Sequence, residues 1–227
     1  FPDSQMKRVG RMTTTNVESV TDLFVPRAAH TMAALWRKAN EESDFDMRRF
    51  LRFMVEQSIW GLSALNRYQP SQHLNYGGSQ VNRQLNGVYY IASMYAECSP
   101  WHNLDGKVGR LISAFKKYVS ETGVSFISTG SASKLPVPSS SIDYIFTDPP
   151  FGENIYYADL NFLVESWHGV TTNRGPEAIV DRVRLKGVHE YQLLMQGCFE
   201  EYYRVLKPGR WMTVVFSNSR AAVWNAI

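Results

Sequence analysis

The chain has 227 residues, of which 44% are hydrophobic and 20% charged, so it can bury a core as one globular domain with an appended lobe. Its net charge of +3 is compatible with a nucleic-acid partner but does not require one. No apolar run reaches the roughly 18 residues of a membrane span, and residues 1–12 contain no apolar signal segment. We therefore expect a cytoplasmic protein without a membrane partner.

Two helices are predicted in the N-terminal part. Pro26, a residue that the first turn of a helix tolerates, precedes apolar residues at helical spacing and predicts a helix over 27–39. A longer amphipathic segment predicts a second helix over 44–66. Residues 1–104 are thus predicted to form a mainly helical lobe.

The middle of the chain changes character twice. Residues 67–87 are rich in Gln, Asn, Gly and Ser and predict a long loop, which contains Gly77 and Gly78. The apolar run "VYYIASMYA", residues 88–96, predicts a strand, and helical spacing predicts a helix over 105–120.

In the C-terminal half, short β-branched or aromatic runs alternate with helical patterns. Strands are predicted over 124–129, 142–147 and 211–218, and helices over 156–169 and 188–206. Near-continuous apolar strands that alternate with helices are typical of a parallel sheet covered on both faces, which is an α/β architecture. In such sheets, ligands bind beyond the carboxyl ends of the strands.

The sequence Thr-Asp-Pro-Pro-Phe, residues 147–151, stands at one such carboxyl end. Two adjacent prolines fix two φ angles and remove two N–H donors, which gives a stiff turn with free carbonyl groups. The carboxylate of Asp148 and the carbonyl of Pro149 can then accept both hydrogens of one aromatic amine and stabilise the positive charge that develops on it. Phe151 supplies a face for stacking on a base, a contact of about 1–3 kcal/mol. A plain loop is the alternative interpretation.

This turn resembles the Asp/Asn/Ser-Pro-Pro-Tyr/Phe/Trp motif of the amino-methyltransferases, which transfer a methyl group from S-adenosylmethionine to an exocyclic nitrogen of a base. Its Asp form is most similar to that of bacterial adenine-N6 DNA methyltransferases, in particular a subgroup of large DNA methylases. The segments "GSASKLPVPSSSIDYIF" and "YYRVLKPGRWMTVVF" resemble the family's surroundings of the catalytic strand, so the likeness covers residues 124–227. It implies a partial, Rossmann-like methyltransferase sheet within residues 105–227, S-adenosylmethionine as cofactor and DNA as partner.

Carried over residue by residue, the resemblance implies a role for each residue of the turn. Asp148 and Pro149 would hold the target amine, Pro150 would shape the turn, and Phe151 would stack on the base. The resemblance therefore assigns all four residues to the catalytic site.

The resemblance also implies cofactor contacts at two other places. Gly130 and Ser131 stand where relatives contact the adenine of the cofactor, although relatives often carry an acid at the position of Ser131. The segment "LFVPR" resembles a Phe-Thr-Pro element that lines the methyl-donor pocket, which makes Phe24 and Pro26 candidate wall residues. Capping and stapling of the following helix is the alternative for these two.

The glycine-rich turn with which the family holds the methionine part of the cofactor is missing from the sequence. Gly77 and Gly78 follow no apolar strand and indicate a flexible loop. Because the chain also begins without Met, we expect it to be an interior piece of a longer protein, with the glycine turn upstream of Phe1 or, in a permuted order, after Ile227. We accordingly expect these residues alone to bind S-adenosylmethionine weakly or not at all.

An enzyme that methylates a base of duplex DNA must flip the base out and hold the flanking strand. Tyr156 and Tyr157 are candidates to border the base, with core packing as the alternative. Several cations that follow the predicted helix over 156–169 are candidates for phosphate contacts, with a solvated loop as the alternative. They are Arg174, Arg182, Arg184 and Lys186, to which Arg67 and Arg83 add upstream candidates.

No metal site is predicted. Cys98 and Cys198 match neither a zinc-binding spacing nor a disulfide framework. His102, His168 and His189 are scattered along the chain without the spacing of metal ligands.

Two other functions stay open at the level of sequence. The tRNA guanine-N2 methyltransferases carry similar Thr-Asp-Pro-Pro-Tyr-Gly turns, so an RNA methyltransferase is the second candidate. A non-catalytic nucleic-acid-binding subunit that retains the fold is the third. The resemblance also allows cytosine in place of adenine and a restriction or defence partner, and it leaves the recognition sequence and the oligomeric state open.

Overall fold

The computed structural model describes residues 2, 17–68, 89, 91–118, 123–153, 155–181 and 184–227. By its internal contacts the chain divides into two compact units. Unit 1 comprises Phe1–Gly123 and Leu160–Thr171, and unit 2 comprises Val124–Asp159 and Thr172–Ile227.

Unit 1 is built from helices. Its first helix begins with Pro26 in the first turn, where a missing N–H leaves no bond unmade. Its second helix is capped by Asp44, whose carboxylate accepts a hydrogen bond from the Met47 N–H at 2.7 Å. In chain order the helices are α1 (Pro26–Glu41), α2 (Phe45–Glu56), α3 (Ile59–Leu62) and α4 (Pro100–Tyr118).

Unit 2 combines helices with two strands. Its elements are β1 (Ile142–Thr147), α6 (Val188–Val205), β2 (Leu206–Val214) and α7 (Ala221–Trp224). Helix α5 (Tyr157–His168) contributes its first three residues to unit 2 and the remainder to unit 1. The chain is therefore a mixed helix and strand protein, compatible with the predicted α/β class.

One apolar core holds unit 1 together. Met32, Val55, Ile59 and Leu163, from four different helices, are buried in it. The ring of Trp167 meets Phe24 and Trp36 edge-on, with centroid distances of 6.1 and 5.7 Å. Burial of one such large apolar side chain contributes about 1.5–3 kcal/mol to folding.

The C-terminal part of α5 is fixed within this core at two points. The Tyr89 hydroxyl donates to the Leu160 carbonyl at 2.8 Å and accepts from a second backbone group of the helix at 2.9 Å. His168 Nε2 lies 2.9 Å from Glu56 Oε2, and its Nδ1 lies 3.1 Å from Arg52 Nη2. Because a guanidinium can only donate, Nδ1 is the acceptor and Nε2 carries the proton shared with the carboxylate.

In unit 2, strands β1 and β2 pair in parallel, with Tyr144 opposite Trp211 and Thr147 opposite Val214. Parallel strands need a long crossover, which here runs over residues 148–205 and contains α5 and α6. One side of the pair meets α6, where Thr147 Oγ1 lies 3.4 Å from the Tyr202 hydroxyl. The other side is open among the described residues, and Trp211 is 79% exposed. The predicted cover on both faces is thus not observed.

The strand predicted over 124–129 is wrong. These residues lie outside any strand, and Phe126 and Ile127 are 94% and 96% exposed. A β-branched and aromatic composition favours a strand only where a neighbouring strand offers a ladder and a packing surface. The sheet that the described residues form contains β1 and β2 alone.

Other boundaries differ from the predicted ones. The helix predicted over 44–66 divides into α2 and α3. Helix α3 ends where the Ser63 hydroxyl donates a hydrogen bond to the Trp60 carbonyl at 2.8 Å. The described residues of 88–96 form no strand, apart from an isolated bridge between Tyr95 and Arg67. Strand β2 begins before the predicted 211–218 and ends at Val214.

The internal contacts place α4 in unit 1. The boundary between the units therefore falls after Gly123, whereas the sequence predicted it after residue 104. Most of the long polar loop predicted over 67–87 lies outside the described residues, including Gly77 and Gly78.

A polar cluster ties the segment before β1 to helix α6. Arg204 Nη2 donates to the carbonyl groups of Leu135 and Val137 at 3.3 and 2.9 Å. Glu201 Oε1 accepts from the same Arg204 nitrogen and from the Leu135 N–H, both at 2.7 Å. The Arg204 hydrogen bond, followed by the Leu135 N–H, lowers the pKa of Glu201 to about 2. The entry to β1 is therefore held by α6.

Replacing Leu163 by Ala should lower the free energy of unfolding of unit 1 by about 2–5 kcal/mol, because the change leaves a cavity at a fully buried position. Urea denaturation followed by tryptophan fluorescence measures the effect. Leu193→Ala is the matched control, since this side chain of α6 is 54% exposed and should change stability by no more than about 0.5 kcal/mol. Equal losses in the two variants would contradict the assigned core.

Replacing Glu201 by Gln should remove a stabilisation that depends on pH. The folded pKa of about 2 lies below the ordinary 4.5, so the ionised carboxylate stabilises the fold above pH 4.5 and loses this contribution as the pH falls through the window between the two values. The Tm difference between wild type and Glu201→Gln, measured by scanning calorimetry, should therefore shrink on acidification. Glu200→Gln, at an exposed neighbouring carboxylate, controls for the loss of one charge at pH 7. A Tm difference that grows towards low pH would refute the assignment.

Candidate active site

The Asp-Pro-Pro-Phe turn follows β1 directly, at the carboxyl end of the strand, as predicted. Asp148 is exposed, Pro149 is buried, and Pro150 and Phe151 are half-buried. Within the described part of the chain, no hydrogen bond engages the Asp148 carboxylate or the Pro149 carbonyl. The two groups assigned to the amine are thus unengaged acceptors.

The carbonyl groups of the next three residues, 150–152, are each held by a donor from a different segment. The first accepts from the Tyr191 hydroxyl of α6 at 2.7 Å. The second accepts from Asn218 Nδ2, beyond the end of β2, at 2.7 Å. The third accepts from the Val180 N–H, in the loop that follows α5, at 3.2 Å. We call these three donors the turn clamp.

Tyr191 is suited to act as a permanent donor. Its side chain is fully buried in an apolar core of unit 2, among Val180, Met195 and Val223. Burial raises the pKa of Tyr191 to about 12, and the hydrogen bond with the Gly152 backbone only partly opposes that shift. The hydroxyl therefore keeps its proton throughout the physiological range of pH.

Gly152 allows the chain to turn at this point. Its φ of +74° lies in the left-handed region, which side chains with a Cβ rarely adopt. A Cβ here would lie 3.0 Å from Val223 Cγ1 and 3.3 Å from Asn218 Nδ2. Any other residue would strain the backbone and push against the turn clamp.

The ring of Phe151 is oriented by aromatic neighbours. It meets Phe216 edge-on at a centroid distance of 5.4 Å, and Phe216 in turn meets Trp224 at 4.9 Å. Because Phe151 is only half-buried, part of the ring stays accessible for stacking.

Of the two tyrosines expected to border a base, Tyr157 begins α5 and is 38% exposed. Burial raises the pKa of Tyr157, and the negative charges of Asp148 and Glu177 raise it further. Tyr156 precedes α5 and is half-buried. Tyr157 is therefore the more exposed of the two rings.

Two of the described arginines predicted to contact phosphate, Arg174 and Arg184, take part in ion pairs within unit 2. Arg174 Nη1 lies 2.8 Å from Asp159 Oδ1, and both side chains are largely buried. Arg184 Nη1 lies 3.3 Å from the carboxylate of Asp181, which is 1% exposed. The Arg174 pair fastens the loop after α5 to the first turn of that helix, and the Arg184 pair lies within the loop.

The other candidate cations are placed differently. Lys186 Nζ donates to the Glu177 carbonyl, and burial lowers the pKa of Lys186. Arg182 and Arg83 lie outside the described residues. The backbone of Arg67 forms an isolated antiparallel bridge with that of Tyr95 in unit 1.

The residues expected to contact the cofactor are divided between the two units, with Gly130 and Ser131 in unit 2 and Phe24 and Pro26 in unit 1. Ser131 Oγ lies 2.8 Å from Ser133 Oγ and accepts from the Ser133 N–H. A Cβ at Gly130 would meet nothing within 4 Å, so this turn is open. In unit 1, Phe24 is buried against Trp167, and Pro26 opens α1. The open turn at Gly130 and Ser131 offers no cradle of its own for S-adenosylmethionine.

Tyr191 and Asn218 were not among the residues predicted from sequence. Asn218 follows β2 as Asp148 follows β1, and polar residues beyond the carboxyl ends of neighbouring parallel strands were a usable signal. Tyr191 carried only the general signal of a polar tip on an apolar helix face.

No protein family, characterised protein or solved structure matches the chain. In the described ranges, no helix is both long and apolar enough to cross a bilayer. The same residues contain no group of three or more His, Cys, Asp or Glu side chains placed to hold a metal ion. Interpretation of the site therefore depends on its own geometry.

Replacing Gly152 by Ala should destabilise unit 2 by about 1–3 kcal/mol, because it forces a left-handed backbone on a residue with a Cβ and pushes that atom against Val223 and Asn218. Thermal unfolding followed by circular dichroism measures the change. Gly197→Ala is the matched control within α6, where the new Cβ meets only Ser133 at an ordinary 3.6 Å; alanine there should be neutral or stabilise by about 0.5–1 kcal/mol. A neutral Gly152→Ala would contradict the strained turn.

Proposed function

We propose that the chain carries the acceptor site of an S-adenosylmethionine-dependent methyltransferase that modifies an exocyclic amino group of a DNA base, preferentially adenine N6. The supporting observation is the turn after β1, where no donor among the described residues engages the Asp148 carboxylate or the Pro149 carbonyl, while the carbonyls of residues 150–152 are occupied. An aromatic amino group has two hydrogens to donate and therefore matches this pair of acceptors.

The proposed chemistry of these residues is electrostatic. The amine of adenine is a weak nucleophile because its lone pair is delocalised into the ring. When Asp148 and Pro149 accept its two hydrogens, the lone pair becomes more localised on nitrogen. As the N–C bond forms and the S–C bond of the methyl donor breaks, the carboxylate would stabilise the positive charge on nitrogen and then take up the proton that the methylated amine releases. Asp148 is exposed, so an incoming base can reach it.

Aromatic groups beside the carboxylate favour a flipped base as the substrate. A base that leaves the duplex loses its stacking and must find a replacement surface. Phe151, held edge-on by Phe216, supplies such a surface, and the exposed ring of Tyr157 at the start of α5 is the second candidate. Each stacking contact contributes about 1–3 kcal/mol.

S-adenosylmethionine supplies the methyl group in this proposal. The open turn at Gly130 and Ser131 offers no cradle of its own for that molecule. The role proposed for Asp148 and Pro149 is therefore confined to the acceptor amine, which they bind and polarise.

Replacing Asp148 by Ala in the full-length protein should reduce methyl transfer by about 10²–10³-fold, a loss typical of removing one preorganised electrostatic group. Transfer of labelled methyl from S-adenosylmethionine to adenine-containing duplex DNA measures the rate, and gel-shift titration should show that DNA binding is largely kept. Asp105→Ala, at an exposed acid on α4, is the matched control and should keep the wild-type rate.

The substrate panel separates the alternatives. It contains duplex DNA, the same duplex with N6-methyladenine at its target positions, and tRNA. Methylation of tRNA in preference to DNA would reassign the substrate to an RNA base. Full activity in Asp148→Ala would contradict the catalytic role, and absence of any transfer by the wild type would favour a non-catalytic nucleic-acid-binding subunit.

A further inference from the structure

Several carbonyl groups compete as acceptors in the turn. Residues 149–152 present four in succession, and a peptide group can rotate wherever ψ is free, even beside a proline whose φ is fixed. An amine that could bind any of four carbonyl groups would have no single bound geometry. If other donors hold three of these carbonyls, only one remains for the amine.

Helix α6 is a rigid support for the first clamp contact. Tyr191 lies in its first turns and is fully buried, so its hydroxyl has little freedom to follow a moving carbonyl. Near the other end of the same helix, Arg204 and Glu201 hold the segment that enters β1. One helix thus fixes both the entry to β1 and the turn that leaves it.

Asn218 is oriented by its own contacts. Its Oδ1 accepts from the Arg220 N–H at 2.7 Å, which assigns the amide nitrogen to the opposite side. Its backbone carbonyl accepts from Trp224 Nε1 at 2.7 Å. The Nδ2 donor is therefore pointed at the Phe151 carbonyl before any ligand arrives.

We infer that Tyr191 and Asn218 are positioning residues of the acceptor site. By holding the carbonyls of residues 150 and 151, they fix the preceding peptide group, so that the Pro149 carbonyl and the Asp148 carboxylate converge on the same amine. Neither side chain acts on the substrate itself. This inference rests on the proposed function for its catalytic consequence, whereas the rigidity of the turn can be tested without any activity.

The first test is Tyr191→Phe in the full-length protein. This change keeps the buried ring and removes only the hydroxyl. Loss of the hydroxyl should speed amide hydrogen exchange at Gly152, because the Pro150 carbonyl that orders this turn is released. It should lower kcat by about 10²-fold, the loss expected from a misplacement of roughly 1 Å, and leave the KM for DNA near the wild-type value.

The matched control is Tyr203→Phe, on the same helix, where the side chain is 86% exposed. It removes the same hydroxyl from a surface position and should leave exchange at Gly152, kcat and KM unchanged.

A second variant keeps the inference testable if Tyr191→Phe folds poorly. Asn218→Asp preserves the acceptor for the Arg220 N–H and replaces the donor with an oxygen that repels the Phe151 carbonyl. We expect the same pattern, with faster exchange at residues 151–153 and a lower kcat at a similar KM.

The outcomes are distinguishable. Unchanged amide exchange in both variants overturns the inference, whatever the activity. A higher KM with an unchanged kcat would make both residues ordinary packing groups and would also overturn it. If the wild type transfers no methyl group to any nucleic acid, the proposed function fails, and faster exchange in the variants still supports the clamp as a structural device.

Discussion

The hydrogen bond from the Tyr191 hydroxyl to the Pro150 carbonyl is the contact on which the candidate site depends. It joins the turn after β1 to a helix that also holds the segment before β1 through Arg204. Since one element anchors both ends of the strand, the position of Asp148 is set by the core of unit 2 and not by the loop alone. A stiff turn without such an anchor would be rigid in itself yet free to move as a body.

Ion pairs also help to position the turn after β1, although they do not involve the turn itself. The loop after α5 is basic in sequence, and its described arginines are engaged by Asp159 and Asp181 within unit 2. Partly buried ion pairs of this kind order a loop that has little apolar surface of its own. In the ordered loop, the Val180 N–H donates a hydrogen bond to the Gly152 carbonyl, which is the third contact of the turn clamp.

Local patterns were sufficient for elements whose signal lies within one stretch of chain. Helix α1 and strand β1 occur where periodicity and composition predicted them, because an amphipathic helix that opens with proline and a short apolar run each carry their own propensity. The run over 124–129 has the same composition as a strand but forms none, since a strand also needs a neighbour. A helix closes its own hydrogen bonds, and a strand does not.

The sequence by itself determined the chemistry of the turn: an acid, two prolines that remove donors, a ring, and a glycine that permits a positive φ. Only the tertiary structure decided which acceptors of that turn stay available, because this depends on Tyr191 and Asn218, which are 41 and 67 positions from their carbonyl partners. It also decided that Arg174 and Arg184 face acids of their own unit. A hydrogen bond between distant positions has no local signature, since each partner taken alone is an ordinary residue of its helix or loop.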